Sequence, residues 1–111
     1  MYEDLYLPEF KKALKKYKHW KGRIGKKVKS ILKDPYYNSE PLKYEMEGLR
    51  SRNFDKNFRF IYVVCEECKE KNLQTEMSNK YCYKDNIECV SIPDKTVIFG
   101  TFSKHDDAYH F

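Results

Sequence analysis

Apolar positions along the chain change period, and the changes divide it into elements. Phe10, Ala13, Leu14 and Tyr17 recur at the i, i+3, i+4, i+7 spacing of one helix face. Pro8 suits a first helical turn, where its fixed φ and missing N–H cost nothing. The spacing predicts a helix over 8–19, punctuated by Gly22. Ile24, Val28, Ile31 and Leu32 repeat the pattern and predict a second helix, stopped by Asp34-Pro35. A glycine-containing link makes the two an antiparallel hairpin with lysines on its outer face.

Beyond Pro35 the period falls to two. Leu42, Tyr44 and Met46 alternate with Lys43, Glu45 and Glu47, which predicts a half-buried strand. The stretches 58–65 and 96–102 are rich in β-branched and aromatic residues and read as central strands. Pro93-Asp94-Lys95 is a turn signal, so 87–92 reads as a further strand in a hairpin, and 2–7 as a short edge strand. The order β-α-α-β-β-β predicts an α+β fold. Its sheet is small, twisted and mainly antiparallel, with the two-helix hairpin packed on one face. The polar segment 65–89 interrupts the later strands and reads as an insertion in a single domain spanning 1–111.

Charge adds an asymmetry. The 111 residues carry 22 Lys and Arg against 17 Asp and Glu, a net charge of +5. Residues 11–33 hold eleven basic side chains and no acidic one, whereas from 36 onward eleven basic face thirteen acidic. A basic block of this kind, with Lys26 and Lys27 at its centre, attracts polyanions by counterion release and points to nucleic acid. The alternative is a solvated lysine-rich helix face. No apolar run approaches the ~20 residues of a membrane span. No N-terminal apolar segment with a small-residue cleavage site is present, so the expectation is a cytoplasmic protein without membrane contact.

All four cysteines fall in the polar segment, as Cys65-x2-Cys68 and Cys82-x6-Cys89. Four thiolates complete a tetrahedral site, and metal binding can fold a segment poor in apolar residues. A structural zinc on Cys65, Cys68, Cys82 and Cys89 is therefore expected. It would not be catalytic, since four thiolates leave no open position. The six residues within the second pair exceed the usual spacing, which keeps unligated cysteines or a disulfide as alternatives.

Three segments then form a pattern: Ser39-Glu40-Pro41-Leu42-Lys43, Gly48-Leu49-Arg50-Ser51-Arg52 and Phe58-Arg59-Phe60-Ile61-Tyr62-Val63-Val64. With Gly100, His105 and Tyr109 after them, they resemble the RelE/ParE toxin superfamily, and within it the YoeB/Txe group. The resemblance implies a twisted antiparallel sheet with two helices, in agreement with the periodicity. It also implies a toxin of a type II toxin–antitoxin module, held in check by a cognate antitoxin. The implied activity is ribosome-dependent, metal-independent cleavage of mRNA. By this resemblance Glu40 is the general base for the 2′-hydroxyl, Arg59 stabilises the phosphorane, and His105 is the general acid for the 5′-oxygen. The residue types suit those roles: a carboxylate, an always-charged fork and a side chain titrating near neutrality. Arg50 and Arg52 are implied phosphate contacts, one of them facing the same groove as Arg59, and Tyr109 an aromatic for base stacking.

Each residue has a plainer reading: Glu40 as a loop carboxylate, Arg59 as a strand arginine paired with Glu45 or Glu47, His105 as an exposed histidine. Two other functions stand beside the nuclease. One is a ParE-like gyrase inhibitor, the other a zinc-stabilised nucleic-acid-binding module.

Overall fold

The strand β4 (Phe58–Val64) is apolar on both sides, and the molecule is built around it. The computed structural model describes residues 1–80 and 91–108, the side chains of 106 and 107 excepted. Phe58, Phe60, Tyr62 and Val64 enter one core, while Ile61 and Val63 enter another on the opposite face. A strand buried on both faces belongs inside a sheet. The strand order is β1 (Glu3–Tyr6), β5 (Thr96–Lys104), β4, β3 (Arg50–Asn53), β2 (Ser39–Pro41). β1 runs parallel to β5, and every other pairing is antiparallel. The fold is the α+β class the pattern predicts, with a mixed five-stranded sheet.

The helical hairpin covers the first face. α1 (Pro8–Lys16) has Pro8 in its first turn and Lys15 and Lys16 in its last, which suits the helix dipole. α2 (Lys21–Lys33) buries Ile24, Val28, Ile31 and Leu32, the residues its periodicity selects. The break between them falls at Tyr17 and a 3-10 turn, Lys18–Trp20, rather than at Gly22, which lies inside α2. The turn stacks Tyr17 on Trp20 with centroids 5.6 Å apart and brings Trp20 to 4.9 Å from Phe58. Ring packing, not glycine, sets the corner.

The strand predicted from Leu42, Tyr44 and Met46 is not there. β2 ends at Pro41 and a 3-10 turn, Tyr44–Met46, follows. Tyr44 has φ +58° and is 90 % exposed, while Leu42 and Met46 pack on the second core. A turn satisfies both apolar contacts as well as a strand would. The short β3 has no apolar residue to mark it. Of the strand expected over 87–92, residues 87–90 lie outside the described residues, and Ser91 and Ile92 are not in a strand.

The second face is covered as well. α3 (Cys65–Glu70), α4 (Gln74–Lys80) and the link between them lay Cys65, Cys68, Leu73 and Met77 against Leu49, Ile61, Val63 and Ile98. Gly48, at φ +99°, lets α4 approach: a Cβ there would meet Met77 Cε at 3.0 Å. Arg50 and Glu67 tie α3 to β3 through Nε–Oε1 and Nη2–Oε2 contacts of 3.0 and 2.8 Å. Both side chains are largely buried. α5 (His105–Ala108) follows β5, with Ala108 buried in the second core. None of the helices among the described residues is long and apolar enough to cross a membrane.

Candidate active site on the second face of the sheet

Register decides which polar side chains meet. Asn53 pairs with Arg59 and Arg59 with Ser103, so these three form a row across β3, β4 and β5 on one face. One row along, Glu40 pairs with Ser51, Ser51 with Ile61 and Ile61 with Thr101. Arg59 and Ile61 are two residues apart on one strand and share its face, so both rows look the same way, away from the helical hairpin. From strand spacing and rise, the Cα atoms of Glu40 and Arg59 are about 12 Å apart. His105 opens α5 directly after β5, and its N–H donates to the Asn57 carbonyl oxygen at 2.5 Å. That bond holds it at the end of the sheet where Arg59 and Ser103 lie.

The central row has unmet hydrogen-bonding capacity. Arg59 Nε and Nη1 and Ser103 Oγ are buried and have no hydrogen-bond partner. Nor does Arg59 form an ion pair with Glu45 or Glu47 among the described residues. A half-buried guanidinium with two idle donors beside an idle hydroxyl suits a group rich in acceptor oxygens, and phosphate is one. Glu40 and His105 are exposed at the margins of this surface, where they can reach a bound substrate.

The other arginines point elsewhere. Arg50 and Arg52 pair in register with Tyr62 and Phe60, on the side of the helical hairpin, so neither shares the face of Arg59. Arg50 is engaged with Glu67 and Ser39 and lies 4.7 Å from the Tyr36 ring centre. Arg52 is tied to Ser30 and to the Asp34 carbonyl. Lys26 and Lys27 are exposed on α2. Tyr109, Cys82 and Cys89 lie outside the described residues. Cys65 and Cys68 sit inside the second core. Among the described residues no three His, Cys, Asp or Glu side chains group to hold a metal ion.

No protein-family profile and no curated protein matches the chain. Solved structures do match. The RelBE2 toxin–antitoxin complex from Mycobacterium tuberculosis aligns over 94 % of this chain and 98 % of that one, with a TM-score of 0.60 and 13 % identity. A YoeB/ParE toxin from Agrobacterium tumefaciens aligns over 93 % and 98 %, at 0.57 and 16 % identity. The chain has the RelE-like toxin fold. A metal-bound toxin from Helicobacter pylori shares it over 96 % and 98 % of the two chains, at a TM-score of 0.60 and 16 % identity. Those similar structures are toxins, one of them in complex with its antitoxin and one of them carrying metal.

Within the RelE-like fold, Asn53 and Ser103 are the polar residues that reading the sequence passed over. A signal existed for Ser103: it follows Phe102 in an aromatic strand, as Arg59 sits between Phe58 and Phe60. What linked the two was register, which sequence alone does not supply.

Proposed function

We propose that this chain is the toxin of a type II toxin–antitoxin module and cleaves mRNA on the ribosome by acid–base chemistry without a catalytic metal. The observation that carries the reading is Arg59. Its two idle N–H nitrogens lie beside Ser103, on the face that Glu40 shares and at the end where His105 is held. Glu40 takes the proton of a 2′-hydroxyl, and the oxygen attacks the adjacent phosphorus. Arg59 holds the phosphoryl oxygens as charge builds on them. His105 gives its proton to the departing 5′-oxygen, which leaves a 2′,3′-cyclic phosphate and a 5′-hydroxyl. An antitoxin that covers the second face would silence all three residues together, and the RelBE2 toxin–antitoxin complex has the same toxin fold.

A cell-free translation system tests the reading. Cuts phased to codons are expected with the native protein. Glu40→Ala and His105→Ala should each slow cleavage by about 10²–10⁴-fold, the usual worth of a positioned acid or base. Translation arrest without cuts would favour a binding inhibitor and reject the nuclease.

A further inference from the structure

On the other side of the sheet, α2 and β3 enclose a cleft of about 430 Å³. That lies within the range of about 300–1,000 Å³ typical of small-ligand sites. Lys27 and Ser30 of α2, Tyr37 and Asn38 of the following turn, and Arg52 and Asn53 of β3 line it, with no acidic side chain among the lining residues. An adjoining pocket along α2 shares Lys27 and Ser30 and adds Arg23 and Lys26.

The floor of the cleft is an uncompensated charge. Arg52 is only 4 % exposed, yet it has no carboxylate partner among the described residues. Its Nη1 donates to Ser30 Oγ at 3.2 Å and its Nη2 to the Asp34 carbonyl oxygen at 2.6 Å, while Nε has no partner. Neutral acceptors satisfy hydrogen bonds but do not balance a cation taken out of water. An anion in the cleft would supply the missing charge, with Lys27 as a second cation at the rim. Bare charge is not all the cleft offers. Tyr37 is 63 % exposed and presents an uncovered ring, and Asn38 adds an amide donor and acceptor. An acidic peptide would use only the cations, whereas a nucleotide uses cations for phosphate, a ring for stacking and amides for a base edge.

We infer that this cleft seats one nucleotide of a single-stranded RNA, with its phosphate drawn to Arg52 and Lys27 and its base stacked on Tyr37. The inference deepens the RNA-directed reading of the protein, but binding here is separable from cleavage at Glu40, Arg59 and His105.

Fluorescence anisotropy of a labelled ten-nucleotide oligouridylate with the purified protein tests it. Lys27→Glu should weaken binding by about tenfold, and the same charge change at exposed Lys12, away from the cleft, by less than about threefold. Tyr37→Ala should weaken it by about fivefold or more through lost stacking. All three positions are exposed, so the variants are expected to fold, and a thermal melt checks this. Equal losses at Lys12 and Lys27 would reduce the cleft to part of a diffuse basic face and overturn the inference. So would an unchanged affinity in Tyr37→Ala, or competition by decaglutamate as effective as by unlabelled RNA, which would mark an acidic protein segment as the occupant. If no RNA is ever cut but these affinities follow, the cleft stands and the nuclease reading falls.

Discussion

At Arg59, the proposed role and stability pull in opposite directions. Its guanidinium is half-buried with two nitrogens that bond to nothing, an arrangement the folded state tolerates at a cost of about 1–3 kcal/mol for each unmet group. A residue kept for substrate and not for folding should be replaceable with a gain in stability. Arg59→Met, similar in length and apolar, is expected to raise the midpoint of thermal unfolding while abolishing cleavage. A lower midpoint would show that the side chain is structural after all. Arg59→Lys keeps the charge but loses the planar fork, so cleavage should fall by about tenfold or more with folding intact. The arginine was legible in the sequence because a charge between two phenylalanines breaks the apolar pattern. Ser103 was less so, since its partnership depends on a pairing that joins residues far apart in the chain.

At the level of elements, the helices α3 and α4 carry the largest difference between expectation and structure. Cys65 and Cys68 at i, i+3 and Leu73 and Met77 at i, i+4 form two short apolar stripes, easily lost among the glutamates and lysines around them. Two contacts fix these helices. Glu67 neutralises Arg50, so Glu67→Ala leaves a buried cation alone and should cost about 3–5 kcal/mol in denaturant unfolding. Glu67→Gln, which keeps the shape and an acceptor, should cost less, and equal costs would show that charge is not what matters. Gly48 accepts φ +99° and leaves room for Met77, so Gly48→Ala combines backbone strain with a clash and should cost about 1–3 kcal/mol. The helical hairpin, by contrast, was readable almost residue by residue, because α2 is amphipathic over its full length. The turn at 44–46 was not, because period-two alternation over five residues fits a turn with two anchored apolar contacts equally well.

For the whole molecule, the pH response follows from its tyrosines. Tyr2 and Tyr36 both donate to Glu66, which ties the start of β1 and the turn after α2 to α3. The hydrogen bond to that carboxylate pushes the Tyr2 phenol up to about 12, and burial, with Glu66 second, raises Tyr36. Burial and Asp4 raise Tyr6, and burial raises Tyr62. Folding therefore favours the neutral phenols. Their contribution is complete below the ordinary tyrosine value of about 10 and is lost as pH climbs through the raised values. The unfolding midpoint should stay level from neutral pH to about 9 and drop above about 10, with a smaller drop in Glu66→Gln. A midpoint unaffected up to pH 12 would contradict this. The overall architecture was legible because helix and strand periods differ sharply along the chain. The parallel seam between β1 and β5 was not, since no local pattern specifies a partner more than ninety residues away.

That seam has a consequence for how the protein comes into being. β5 lies between β1 and β4, so it is the strand that joins the first residues of the chain to its centre, and it is made after the other four strands of the sheet. A chain emerging from the ribosome has its helical hairpin early, but the row of Asn53, Arg59 and Ser103 cannot form until residue 103 is out. The Arg59 face and the folded state thus arrive together, late in synthesis. Nothing that depends on that row of side chains can begin until the sheet has closed.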